Sequence, residues 1–160
     1  KEKRRVAEAV GIGALKYNDL RENRNSDIVF DWERMLDFTG DSGPYLQYTY
    51  ARLQGILRKA KKVKRADITQ LDTERDLALI RRSAEFPDAL EGSAKAYSPN
   101  ILAHYLYALA GLGNQFYETT PILKDENTPR RGARLMLIEM AAEVLKKGLG
   151  LLGIGAIRRI

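Results

Sequence analysis

The chain contains no cysteine, so disulfides and thiolate metal sites are excluded, and a cytoplasmic location is the expectation. It has a single histidine, His104, which rules out a cluster of histidine ligands or a Ser-His-Asp relay with partners to spare. The plain expectation for His104 is a hydrogen-bonded residue at a helix surface. No stretch approaches the ~20 uninterrupted apolar residues of a membrane-spanning helix. A phosphate-cradling glycine loop is missing as well. Gly11-Ile12-Gly13 runs on into Ala14 and Leu15 inside a helical pattern. Carboxylates are scattered over polar faces without an evident acid/base couple. The chain alone is therefore expected to catalyse nothing. It opens Lys1-Glu2-Lys3-Arg4-Arg5, with neither an initiator methionine nor the apolar core of a signal peptide, so a piece of a longer protein is expected.

What is present describes a soluble globular chain of one domain, or one domain and a remnant: 160 residues, 44% hydrophobic and 30% charged. A net charge of +6 favours an anionic partner. The charge is concentrated in Arg58-Lys59-Ala60-Lys61-Lys62-Val63-Lys64-Arg65, six cations in eight residues. Two explanations stand side by side. The run is a solvated helix end suited to the negative pole of the helix dipole, or it is a phosphate contact through residues such as Lys59 and Lys62. Asp67, Asp72, Glu74 and Asp76 follow closely and offer internal neutralisation.

Helix signals dominate and predict an all-α bundle. Lys1 to Leu15 is helical in composition, Asn18 to Asp27 is a polar break, and Ile28-Val29-Phe30 reads as a short, strand-like connection before Trp32. Gly43-Pro44 marks a helix start, with the helix expected to reach about Arg65. Thr73-Glu74-Arg75-Asp76 has the form of a capping box, opening a helix through Leu77, Ile80 and Ala84. Pro87 to Tyr97 restarts a helix. Ser98-Pro99 and Thr128-Pro129 read as N-cap and first-turn proline pairs. Each opens an amphipathic stripe: Leu102, Tyr105, Leu109, Leu112 and Phe116 in one, and Leu135, Ile138, Ala142, Leu145, Leu149 and Leu152 in the other. Both stripes are expected to form bundle core.

The most informative segment is Gly43-Pro44-Tyr45-Leu46-Gln47-Tyr48-Thr49-Tyr50-Ala51-Arg52. Tyr45, Tyr48 and Arg52 recur at three and four residues and share one side of a helix, continued by Gly55 and Lys59. Leu46, Tyr50, Leu53 and Leu57 form a second row turned by about 100°. Such a helix packs on the second row and presents two aromatic rings and a guanidinium on the first. Unpaired RNA bases are held by that combination; interhelical packing with the hydroxyls at the rim is the alternative for the tyrosines.

The same ten residues resemble the start of the C-terminal helical domain of the arginyl-tRNA synthetases. Asp76-Leu77-Ala78-Leu79-Ile80-Arg81-Arg82 resembles the Asp-x-x-Leu-Arg-like signature after which this anticodon-binding domain type is named. Leu102-Ala103-His104-Tyr105-Leu106-Tyr107 with Phe116-Tyr117, then Arg134-Leu135-Met136-Leu137, Val144-Leu145-Lys146-Lys147-Gly148-Leu149 and Leu151-Leu152-Gly153-Ile154, resemble its later helices. Val10-Gly11-Ile12-Gly13-Ala14-Leu15-Lys16-Tyr17 and Val29-Phe30-Asp31-Trp32 resemble the end of that family's catalytic domain.

The resemblance implies a division into residues 1–42, the end of a catalytic domain with its connector, and 43–160, an anticodon-binding helical bundle. It implies tRNA(Arg) as partner, together with the catalytic and N-terminal domains of a parent enzyme, and neither membrane nor DNA. Tyr45, Tyr48, Arg52 and Tyr117 would meet the anticodon loop. ATP and magnesium would serve the parent enzyme and not this segment, because the class I His-Ile-Gly-His and Lys-Met-Ser-Lys-Ser type signatures are absent from it. The end departs from the family pattern: Ile160 stands where a terminal methionine is typical, and the preceding proline is missing. Two other readings remain at this point, a related helical domain such as that of the glycyl synthetase β-subunit and a helical protein–protein module with a solvated basic run.

Overall fold

The structure is a computed structural model and describes residues 1–60 and 66–160. Its elements are α1 (Glu2–Arg21), α2 (Trp32–Met35), α3 (Gly43–Lys59), a 3-10 turn (Ile68–Gln70), α4 (Glu74–Ala84), α5 (Phe86–Ala96), α6 (Pro99–Thr119) and α7 (Thr128–Leu151). The fold is an all-α bundle, as the sequence pattern predicts. Local chemistry explains most of the helix starts. The Ser42 hydroxyl accepts from the Tyr45 N–H with Pro44 in the first turn of α3, and Thr73 and Asp76 cap α4 reciprocally. The cap of α7 is Asn127, whose side-chain oxygen accepts from the Arg130 N–H, one residue before the expected Thr128.

Other boundaries differ for identifiable reasons. α1 runs on through Arg21 because its last turn is anchored. The Tyr17 hydroxyl donates to Asp41 Oδ1 at 2.6 Å and Arg21 Nη1 donates to the Asp41 carbonyl at 2.7 Å. Burial first, and then Asp41, push the Tyr17 phenol upward, so it stays a neutral donor. α3 stops at Lys59, with Ala60 extended, short of the expected Arg65. The other cations of the basic run, Lys61, Lys62, Lys64 and Arg65, lie outside the described residues. Ile28, Val29 and Phe30 form exposed irregular chain and no strand. α5 ends before Tyr97, which takes a left-handed conformation (φ 50°) while the Ser98 N–H bonds back to Ser93. This six-to-one closure usually has glycine at the left-handed position.

α3, α6 and α7 enclose the core. α1 packs on α3 and α6, α4 on α6 and α7, and α5 on α6. Leu46, Tyr50 and Leu53 from α3 meet Leu102, Leu106, Leu109 and Phe116 from α6, and Ile138, Leu145 and Leu149 from α7. In α4 the fully buried apolar residue is Leu79, while Leu77 is exposed. The helix is turned so that Asp76, Leu79 and Ser83 face inward.

That rotation serves a buried ionic cluster. Arg134 on α7 donates through Nε to Asp76 Oδ1 at 3.1 Å and through Nη1 to Asp125 Oδ2 at 2.9 Å, and all three residues are buried. Arg130 adds a two-point contact to Asp125 at 2.7 and 2.9 Å. The Arg130 hydrogen bond outweighs burial and holds the Asp125 carboxyl below its usual value. Arg134→Met strands the buried Asp76 carboxylate without a cation and leaves Asp125 with Arg130 alone, and should cost about 3–5 kcal/mol in denaturant unfolding near neutral pH. For Asp125, a lowered folded pKa means that its contribution is complete above the ordinary value of about 3.9 and disappears as pH falls through the lower folded value. The stability gap between the wild-type chain and Asp125→Asn should therefore narrow in urea titrations as pH drops below 4 toward 2.

Candidate nucleic-acid interface

With Leu46, Tyr50 and Leu53 fixed inward, the opposite stripe of α3 must face outward. Its centre is Arg52. The Arg52 guanidinium carbon lies 4.9 Å from the ring centre of Tyr48, one turn earlier, and 4.8 Å from that of Tyr117 on α6. Both distances fall within cation–π range, so the guanidinium is stacked between two tyrosines from different helices. Its edge is held too: Nη1 donates to Asn114 Oδ1 and Glu118 Oε1, each at 3.0 Å, and Nη2 donates to the Tyr48 hydroxyl at 3.2 Å. Partial burial pulls the Arg52 pKa down, but the bonds to Tyr48 and Glu118 prevail and move it up. Arg52 is a permanent cation here.

This stack forms one wall of a groove of about 460 Å³ lined by Tyr48, Arg52, Gly55, Lys59, Tyr117 and Ile160, with Arg58, Leu123 and Arg159 beside them. The chain end reaches the groove because Arg58 Nη1 donates to the Arg158 carbonyl at 2.8 Å. A Cβ on Gly55 would make only an ordinary contact with the Arg58 guanidinium, at 3.6 Å. The lining therefore combines aromatic faces, at least four cationic side chains and one apolar terminus. Chemically this suits a polyanion with exposed planar groups, which is the description of a single-stranded RNA loop.

Of the residues expected from sequence, Tyr48, Arg52, Lys59 and Tyr117 come together around this groove. Tyr45 does not line it. Seven residues before Arg52, it stands about 10 Å away along the helix axis, half-buried, its ring 5.5 Å from that of Tyr107 on α6. Lys62 lies outside the described residues. His104 is exposed on α6, away from the groove. Asn114, Glu118 and Tyr107 were not expected. All three lie on α6, and the turn spacing of Tyr107, Asn114, Tyr117 and Glu118 is the signal that would have revealed them. Arg159 was missed as well, because nothing local indicates that the tail folds back to α3.

The DALR anticodon binding domain family matches residues 46–160. The chain belongs to this family. Every residue that lines the groove falls inside the matched DALR segment. A second family, the tRNA synthetases class I (R), catalytic domain, matches residues 1–32. Among known proteins, the chain is 44% identical to an arginine–tRNA ligase of Actinobacillus succinogenes, over 99% of this chain and 28% of that protein. It is 47% identical to one from Laribacter hongkongensis, over 96% of this chain and 26% of that protein. The arginyl-tRNA synthetase of Thermus thermophilus superposes with a TM-score of 0.91 at 34% identity, covering 96% of this chain and 27% of that one. The enzyme of Plasmodium falciparum gives 0.85 at 29% identity, covering 98% and 28%. The DALR chain thus spans about a quarter of the length of these relatives.

Asn114→Ala should release one of the three edge contacts of Arg52 while leaving the tyrosine rings in place. The expected outcome is an unchanged helical circular-dichroism spectrum, with weaker binding of single-stranded RNA by about two- to fivefold, the size of one lost hydrogen bond.

Proposed function

We propose that this chain is the anticodon-binding part of an arginine–tRNA ligase and grips the anticodon loop of tRNA(Arg) in the groove beside α3. One observation carries the reading: a cation stacked between two tyrosines in a basic groove, wholly inside the segment matched to the DALR anticodon binding domain. Residues 1–42 would be the end of the catalytic domain and its connector, and residues 43–160 the tRNA-binding bundle. Relatives named as arginine–tRNA ligases support this over a glycyl-type domain or a general protein-binding module.

Tyr117 and Tyr48 supply ring surface for splayed bases, and Arg52 supplies donors for a base edge or a phosphate. Tyr45, paired with Tyr107, offers a second aromatic platform two turns back along α3. Lys59 takes a phosphate, with Lys62 beyond it in sequence. Arginine codons share their central base, so the middle anticodon base is the expected source of specificity.

The parent enzyme would join arginine to its tRNA in the cytoplasm at the expense of ATP. The glycine pair of this chain does not fit the nucleotide. Gly11 and Gly13 lie within α1, where a Cβ on Gly13 would run into the Gln47 side chain at 2.8 Å, and no helix N-terminus follows them to receive phosphate. ATP and its magnesium belong with the catalytic domain. Ile12, Val29, Phe30 and Trp32 are exposed within or beside the segment matched to that domain, and they suit docking against it.

The test is binding of the chain to an arginine tRNA and to the same tRNA with its middle anticodon base replaced, across a salt series. The altered base should weaken binding clearly with the salt slope unchanged; equal affinity would overturn the reading. Because stacking contributes about 1–3 kcal/mol per base, Tyr117→Ala should weaken the arginine tRNA by roughly tenfold. Lys59→Ala should weaken both RNAs alike and flatten the log–log salt slope by about 0.7.

A further inference from the structure

Arg52 is more heavily engaged than a residue awaiting a phosphate needs to be. Of its five N–H donors, two on Nη1 go to Asn114 and Glu118 and one on Nη2 goes to Tyr48. The two α6 partners lie four residues apart, one above the other on the same helix face, but they differ in kind.

Asn114 is buried, and its orientation is dictated. The Thr49 hydroxyl donates to the Tyr45 carbonyl at 2.9 Å, so its oxygen accepts from Asn114 Nδ2 at 2.7 Å. That leaves the Asn114 oxygen turned toward Arg52. The Tyr45 carbonyl, Thr49, Asn114 and Arg52 form a fixed chain of bonds. Glu118 is different: its side chain is 62% exposed at the rim, so its pair with Arg52 is of the screened, easily exchanged sort.

We infer that Glu118 is a competing anion, an internal stand-in for an RNA phosphate, which occupies Arg52 until a correctly seated anticodon loop displaces it. The inference rests on reading the groove as the anticodon site. A carboxylate and a phosphate present the same kind of acceptor oxygens to a guanidinium, and Asn114 holds the guanidinium still during the exchange. A loop whose bases reach the tyrosines gives up only a solvent-screened pair. A loop whose bases do not reach them meets a negative charge at the rim with nothing to offset it. Glu118 therefore lowers affinity for every RNA, and for wrong loops most, which is specificity gained through a repulsive element.

Glu118→Gln keeps the shape and an acceptor oxygen while removing the charge. The RNAs are an arginine tRNA and its middle-base variant, measured at low and high salt. Glu143→Gln on α7, where the carboxylate pairs with Lys146, removes the same charge from a residue that does not line the groove. Glu118→Gln should raise affinity for the middle-base variant by about fivefold at low salt, raise that for the arginine tRNA less, and steepen the salt slope by up to about 0.7. Glu143→Gln should change either affinity by less than about twofold. The inference is overturned if Glu118→Gln binds both RNAs no better than wild type, or if Glu143→Gln matches its gain. Failure of the underlying reading looks different: the wild-type chain itself would not distinguish the two RNAs. In that case a gain in Glu118→Gln alone still shows that Glu118 masks Arg52, and its absence still overturns the inference.

Discussion

The crossing of α1 and α3 is the contact that orients the rest. A Cβ on Gly43 would lie 2.5 Å from the Gly13 carbonyl oxygen, and one on Gly13 would lie 2.8 Å from the Gln47 amide nitrogen. At Gly43 the obstacle is backbone and only glycine fits, so the two helices meet nearly backbone to backbone, while a side chain at Gly13 would have to displace the Gln47 amide. One turn beyond, the fully buried Gln47 donates both amide hydrogens, to the Ala9 carbonyl at 3.1 Å and the Gly155 carbonyl at 2.8 Å. A single side chain thus ties α1, α3 and the C-terminal tail together. Once α3 is pinned on that side and packed on α6 and α7 elsewhere, the stripe carrying Tyr48, Arg52 and Lys59 is left facing outward.

The groove is assembled from parts fixed for structural reasons. Tyr117 is placed by its neighbour Phe116, which is buried in the core. The loop 120–127, which carries Leu123 to the groove, is anchored by buried Ile122 and by Asp125 in the Arg134 cluster. The tail reaches the site through Gln47 on one side and Arg58 on the other. The ordered side chains of the site therefore depend on the same buried polar contacts that hold the helices together. Two kinds of charge coexist: Arg134 is locked between buried carboxylates, whereas Arg52 is stacked and partnered but lies at the surface, where an incoming anion can compete for it.

Much of this was legible in the sequence. Period-3.6 stripes revealed α6 and α7, the Thr73 capping box revealed α4, and Gly43-Pro44 revealed α3. The candidate site is legible to the extent that it lies on one helix, since spacing alone puts Tyr48, Arg52 and Lys59 on one face. What depended on tertiary geometry was not. Nothing local says that Tyr45, two turns from Arg52, turns to Tyr107, or that Asn114 and Glu118 come from α6 to hold the guanidinium. The role of Gly43 also exceeds its helix-start signal, because the near contact with Gly13 joins residues thirty apart. α1 runs past its apparent sequence boundary because Asn18 and Arg21, polar in pattern, are both buried and Arg21 is bound to Asp41. Polar composition marks a break only where no partner is waiting.

The central claim is that α3, the end of α6 and the tail form one RNA-binding surface. It is tested most directly by photocrosslinking an arginine tRNA to the chain and mapping the linked peptides and nucleotides. Crosslinks should join anticodon-loop nucleotides to Tyr48 and Tyr117, with Arg159 and Ile160 in a neighbouring peptide. Links confined to the exposed Ile28-to-Trp32 segment or to α4 and α5, or to nucleotides outside the anticodon arm, would contradict it.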